Sequence, residues 1–322
     1  MFLTLSVFVI GLLLLVKSAD AFVDGASSIA RYLGMSPFLV GMIIVGFGTS
    51  APELLVSSIA AWQNSSQLAL GNVYGSNIVN MGLILSVAAL INPIVVHSKV
   101  LKRELPILVG TIILVAGLSF DGMLSRLDAG VMLLSFLLLM TLFIRQDSQA
   151  SRDTLLDESK KEYQTPKLSK KKAVIFLVMG LVGLLVSSKM LVWGAIEIAK
   201  VFGVSDLMIG LTIVAIGTSL PELAACVGAA LKKEHDIALG NVIGSNLFNI
   251  LAVLGVSGCI RPLVVSHEIM TRDISVMMVM TLLLWAFCYS WQGRPGRINR
   301  LKAVILILVY VAYTAYLCLA KA

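Results

Sequence analysis

The sequence predicts an all-α integral membrane protein of ten transmembrane helices, arranged as two inverted five-helix repeats. Three observations carry that prediction: apolar composition, the placement of basic residues in the loops, and an internal repeat. Of the 322 residues, 58% are hydrophobic and only 13% are charged, and the mean hydropathy is +0.95. A soluble domain is about half apolar and a quarter charged, so a soluble enzyme is excluded. A membrane helix needs roughly 20 apolar residues, and the chain holds enough for about nine or ten. Only short loops are left over.

Ten apolar segments can be read directly, at about 2–20, 37–62, 68–91, 104–120, 127–144, 173–193, 206–231, 237–260, 273–290 and 302–319. The longest polar stretch, 145–172, reads as a solvated basic linker between a first repeat (1–144) and a second (173–322). One set of alternating loops holds 18 Lys and Arg residues, and the opposite set holds 5. Cytoplasmic loops are enriched in Lys and Arg, so the linker is expected in the cytoplasm and both termini outside. The net charge of +7 sits in these loops and gives no indication of nucleic acid. No Lys or Arg precedes the first apolar run, as a cleaved signal would require, so that run is read as a retained span.

Self-comparison shows the repeat. Residues 48–53 read GTSAPE and 217–222 read GTSLPE; residues 71–80 read GNVYGSNIVN and 240–249 read GNVIGSNLFN. The offset is 169 in both cases and runs without a gap from Arg31 to Glu104, with 29 of 74 aligned pairs identical. Five spans per repeat is an odd number. The second repeat therefore enters the membrane from the opposite face, which is the inverted architecture of many secondary transporters.

Charge is nearly absent from the span centres. Glu53 and Glu222 are exceptions, and they are repeat mates. A carboxylate at this depth costs several kcal/mol on most scales and marks an ion path. Pro52 and Pro221 precede them, and a proline ring crowds the carbonyl four residues back, here those of Gly48 and Gly217. Such carbonyls must line a cavity or find another donor. Thr49, Ser50, Thr218 and Ser219 add hydroxyl oxygens. Carboxylate, hydroxyl and carbonyl oxygens are hard ligands that suit Ca²⁺ or Na⁺. In the second motif Ser76 and Asn80 share one helix face, as do Ser245 and Asn249. Asn72, Asn77, Asn241 and Asn246 supply further amides, and Gly75 and Gly244 are expected to allow close helix contact.

Other chemistry-bearing residues get plain readings. Cys226, Cys259, Cys288 and Cys318 lie in or beside apolar runs and form no CxxC, so they are read as small hydrophobes. His97, His235 and His267 have no zinc-ligand spacing. Lys17, Asp20, Asp24, Lys189 and Glu197 are expected to snorkel or to form short-range ion pairs. Arg103-Glu104 and Arg272-Asp273 are expected to anchor equivalent spans at the interface. No cofactor is implied, and no HExxH, catalytic aspartate pair or Ser–His arrangement lies within the spans.

The paired motifs GTSAPE…GNVYGSNIVN and GTSLPE…GNVIGSNLFN resemble the two alpha repeats of the sodium/calcium exchanger family, within the calcium:cation antiporter superfamily. The resemblance spans essentially the whole chain and implies a compact prokaryotic-type antiporter in the plasma (inner) membrane, with Ca²⁺ and Na⁺ as transported substrates. It implies that the second, third, seventh and eighth helices form an ion-holding core, across which the first and sixth move. It implies Glu53 and Glu222 as the central ligands, with oxygens from Thr49, Ser50, Thr218 and Ser219. It further implies outer sodium ligands at Ser76 and Ser245, backbone carbonyls at Gly46 and Ala215, and an amide at Asn80. Some relatives, including the potassium-dependent branch, carry Asp where this chain has Asn249, which argues against potassium cotransport. The formal site charge is then −2. One Ca²⁺ or two H⁺ would neutralise it, and three Na⁺ would leave +1. Ca²⁺/H⁺ antiport and exchange of another divalent cation are the alternatives within the class. A cation channel is the alternative outside it, but an inverted repeat with broken helices fits a carrier better.

Overall fold

The computed structural model describes residues 2–96, 100–155, 168–201, 215–289 and 296–320. Residues 156–167 of the expected linker, residues 202–214 with the start of the seventh expected span (206–231), and the loop residues His97, Lys99 and Arg294 lie outside the described residues. Among the described residues, seven helices are long and apolar enough to cross a membrane: Leu3–Leu33, Ser66–Ile91, Arg126–Asp147, Lys170–Ile198, His235–Ile260, Ile269–Cys288 and Arg300–Leu317. An eighth candidate is the pair Pro37–Thr49 and Ala51–Trp62, bent by 46°. Of the two remaining expected spans, 104–120 is represented by the helix Leu105–Leu118, and 206–231 by the apolar helix Leu220–Leu231. The protein is thus an all-helical membrane protein.

Secondary structure repeats with the sequence. Helix Gly46–Thr49 corresponds to Ala215–Thr218, Ala51–Trp62 to Leu220–Leu231, and Leu85–Ile91 to Leu254–Ile260, all at the offset of 169. The wide-turn π segment Val100–Glu104 corresponds in the same way to Ile269–Asp273. Asn64 and Lys233, also repeat mates, both take positive φ in the tight turn of their hairpins. Proline causes the breaks. Ser50 (φ −84, ψ 10) and Ser219 (φ −92, ψ 10) leave the helical region one turn before Glu53 and Glu222. Pro52 and Pro221 sit in the first turn of the following helix, where a missing N–H costs nothing.

Two short strand pairs depart from the all-helical expectation: Ile94–Val96 pairs antiparallel with Gly296–Ile298, and Met123–Leu124 with Leu263–Val264. Pro93 and Pro262 start these stretches, because a residue before proline is held extended. Asn92 (φ −139, ψ 111) and Arg261 (φ −151, ψ 136) are so held.

Packing divides the chain into two compact units, residues 1–52 with 140–241, and residues 53–139 with 242–322. Each unit draws on both sequence repeats. In the first, the helix Phe2–Leu33 (α1) lies along Lys170–Val201 (α9, in chain order). Gly11 lies against Leu191, Ser18 against Gly183, Phe22 against Gly180, and Gly25 against Leu177. Partners fall in number along one helix as they rise along the other, so the two repeat-related helices run antiparallel. The contact is self-complementary, since Gly11 and Gly180 are repeat mates, as are Phe22 and Leu191. Small residues permit this approach. α1 also continues well past the expected end of the first span. Its Asp24 meets Lys232 at 2.9 Å, and Asp20 meets the same ammonium at 3.5 Å, a partner from the second repeat that the sequence reading did not name.

In the second unit, Arg300–Ala320 packs on Asn80–Ile84 and Leu85–Ile91, and Ile274–Cys288 packs on Ser66–Val79. Arg272 and Asp273 do more than anchor a helix end. Asp273 is buried, takes two bonds from the Arg272 guanidinium at 2.8 and 3.0 Å, and accepts from the Tyr313 hydroxyl at 2.8 Å. Cys226 and Cys288 are buried as expected, whereas Cys259 is exposed.

Candidate ion-binding residues

The first unit gathers residues from both GTSxPE motifs. Glu222 is buried, and its Oε1 accepts from the Ser50 hydroxyl at 2.9 Å. Its Oε2 has no hydrogen-bond partner among the described residues. The Thr49 hydroxyl reaches the Val45 carbonyl at 3.0 Å and Asn241 Oδ1 at 3.3 Å. Asn241 Nδ2 donates to the backbone carbonyl of Glu222 at 3.2 Å. Gly46, one of the two expected carbonyl ligands, accepts from the Ser50 N–H at 3.1 Å. The other, Ala215, opens the short helix Ala215–Thr218. Ser219 is buried at the second break, and Thr218 is half-buried beside it.

Of the two carbonyls expected to be loosened by proline, that of Gly217 is satisfied. The Ser188 hydroxyl on α9 donates to it at 2.8 Å. Ser188 carries no motif signature, and sequence reasoning passed over it. Its repeat mate is Ala19, so Gly48 has no equivalent hydroxyl donor at that position.

The second unit holds Glu53 and the amide-rich motifs. Glu53 is fully buried, and Asn72 Nδ2 donates to its backbone carbonyl at 3.2 Å and to the Ser57 hydroxyl oxygen at 2.9 Å. Asn80 Nδ2 donates to Asn246 Oδ1 at 3.0 Å, which brings equivalent motifs of the two repeats together. Asn249 is fully buried, and neither of its amide atoms has a partner among the described residues. The same holds for Asn80 Oδ1, Asn77 Oδ1 and Asn246 Nδ2. Buried polar atoms are nearly always bonded, so this concentration of open amide positions calls for a polar occupant. Ser76 and Ser245 are buried beside these residues in sequence. Both Asn80 and Asn249 lie in π segments, Asn80–Ile84 and Phe248–Val253. Such bulges shift helix register and recur at functional sites. Among the described residues, a Cβ at Gly75 would meet no atom within 4 Å. Close packing falls instead at Gly41, where a Cβ would lie 2.6 Å from the Ile237 carbonyl oxygen.

Among the described residues, no three His, Cys, Asp or Glu side chains gather as a resident metal centre. The oxygen donors are sparse in charge and rich in hydroxyl, carbonyl and amide. That chemistry suits a cation that must also leave.

The family model described as "Sodium/calcium exchanger protein" matches residues 3–145 and 172–319. The putative antiporter CaxA of Alkalimonas amylolytica is 47% identical over 305 residues, covering 94% of this chain and 95% of its own. The sodium/calcium exchanger MaX1 of Methanosarcina acetivorans is 34% identical, covering 97% of each chain. A solved structure of the sodium-calcium exchanger NCX_Mj superposes with a TM-score of 0.84 at 31% identity, covering 98% of both chains. The matched segments hold both motif pairs and stop on either side of the linker, and the chain belongs to the sodium/calcium exchanger family, as an integral membrane cation antiporter and not an enzyme.

Proposed function

We propose that the protein exchanges Ca²⁺ for Na⁺ by alternating access, in the direction of Ca²⁺ export from a prokaryotic cell. The carrying observation is Glu222: a buried carboxylate at a proline-induced helix break, met by a serine hydroxyl from the partner repeat's motif. In this reading Glu53 and Glu222 are the calcium ligands. Thr49, Ser50, Thr218 and Ser219 contribute hydroxyl or carbonyl oxygens, and Gly46 and Ala215 contribute backbone carbonyls. Ser76 and Ser245 serve sodium, and Asn80 and Asn249 present amides. The many neutral oxygens favour Na⁺ over H⁺ as the coupling ion, since a proton needs only the carboxylates. MaX1 and NCX_Mj are both sodium/calcium exchangers by name, which supports that choice.

The architecture we propose is ten helices in two inverted repeats, with the linker cytoplasmic and both termini outside. The antiparallel run of α1 and α9 supports inversion, as does the element-by-element correspondence at 169 residues. Two glutamates give the empty site a charge of −2. Moving that through a low-dielectric region is costly, so the empty carrier is trapped and exchange is obligatory.

The test is ⁴⁵Ca²⁺ uptake into Na⁺-loaded proteoliposomes. Glu53→Gln and Glu222→Gln are each expected to lower uptake at least about a hundredfold, the scale of losing a ligand charge in a buried site. Uptake retained in both variants, in folded protein, would remove these residues from the transport path.

A further inference from the structure

We propose that Asn72 and Asn241 are positioning residues that set the two glutamates for the cation, and that Asn241 also orients Thr49. This rests on the reading of Glu53 and Glu222 as ligands. Each asparagine stands 19 residues after its glutamate, and each donates to that glutamate's own backbone carbonyl at 3.2 Å. The same bond has formed twice, in two separately packed units. It fixes the backbone from which the carboxylate extends against the helix that carries Ser76 and Asn80, or Ser245 and Asn249.

Each asparagine makes a further bond. Asn72 Nδ2 also donates to Ser57 Oγ at 2.9 Å. Cys226 stands at the equivalent place in the second repeat, and its thiol points to the Ala238 carbonyl, as Ser57 points to that of Ala69. A thiol is a weak acceptor. Asn241 Oδ1 accepts from the Thr49 hydroxyl at 3.3 Å. Thr49 also has the Val45 carbonyl at 3.0 Å. A hydroxyl has one proton; with fixed acceptors taking that proton, the Thr49 oxygen keeps its lone pairs for a cation. Asn241 thus bridges the first repeat's Thr49 and the second repeat's Glu222.

The experiment is thermal unfolding of the purified full chain over a Ca²⁺ titration, for wild type, Asn72→Ala, Asn241→Ala and Glu222→Gln. Ligand at free concentration L, binding to the folded state, stabilises it by RT ln(1 + L/Kd), so the Ca²⁺ midpoint is the apparent Kd obtained by fitting the rise in melting temperature to that relation. The expected result for Asn241→Ala is an ion-free melting temperature within a few degrees of wild type and a Ca²⁺ midpoint raised at least about tenfold; Asn72→Ala shifts the midpoint by less. Asn241→Ser replaces the alanine variant if that one is lost from the membrane. A double-mutant cycle of Asn241→Ala with Thr49→Val should be non-additive in the Ca²⁺ midpoint; a purely structural asparagine would give additive shifts. A midpoint within twofold of wild type in Asn241→Ala would overturn the proposal. Glu222→Gln separates the two readings. If it keeps the full Ca²⁺ response, the ligand assignment fails; if it loses the response while Asn241→Ala keeps it, only the positioning role fails.

Discussion

Ser188 shows how one side chain completes a motif it does not belong to. Pro221 loosens the last turn before Glu222, and Ser188 supplies the hydrogen bond that the Gly217 carbonyl takes at 2.8 Å. Ser188→Ala should cost about 1–3 kcal/mol, the price of a buried unsatisfied group, and lower the melting temperature by a few degrees. GTSLPE announces the break in the sequence. The donor does not announce itself, because it comes from a different helix and its repeat mate, Ala19, carries no hydroxyl. Glu53, Glu222 and the asparagines were legible for the opposite reason, since polar side chains repeated in apolar sequence need a purpose. Asn249 carries a second residue-scale prediction. Asn249→Asp would add a third buried carboxylate, leaving the Ca²⁺-loaded site at −1. Exchange should slow at least about tenfold and become stimulated by K⁺, which flux measurements with and without K⁺ would show. An unchanged rate would contradict the charge argument.

Among the elements, the hairpins repeat most faithfully. Helix breaks at Ser50 and Ser219, π segments around Asn80 and Asn249, and positive φ at Asn64 and Lys233 all recur at one spacing. Hydropathy located these helices but not their irregularities, because a π turn changes hydrogen bonding without changing composition. Strand pairs were missed for a related reason. Two or three residues after Pro93 and Pro262 give too short a pattern to read as strand. The α1–α9 contact depends on missing side chains. At Gly25, a Cβ would overlap the Leu177 backbone, while at Gly110 it would meet no described atom within 4 Å. Gly25→Val should therefore force the helices apart and lower the melting temperature by several degrees. Gly110→Ala should leave it unchanged or raise it, since alanine is the better helix former by roughly 1 kcal/mol. Equal effects of the two would show that α1 and α9 do not pack through this face.

For the whole molecule, the charge count governs what the carrier can do. In the proposed site two carboxylates would accept one Ca²⁺ at neutrality or three Na⁺ at +1; if three Na⁺ move per Ca²⁺, one net charge crosses per cycle. That is worth about 2.3 kcal/mol per 100 mV. In Na⁺-loaded vesicles, an inside-positive potential of 100 mV should therefore raise the limiting Ca²⁺ accumulation ratio about 50-fold. Exchange of Ca²⁺ for two protons would not respond. The most direct test of the account is ⁴⁵Ca²⁺ uptake by wild-type protein in two matched sets of proteoliposomes, one with only an outward Na⁺ gradient and one with only a pH gradient. Uptake driven by Na⁺ and absent with the pH gradient is the predicted result. Uptake driven by the pH gradient alone would contradict sodium coupling and make the protein a calcium/proton antiporter.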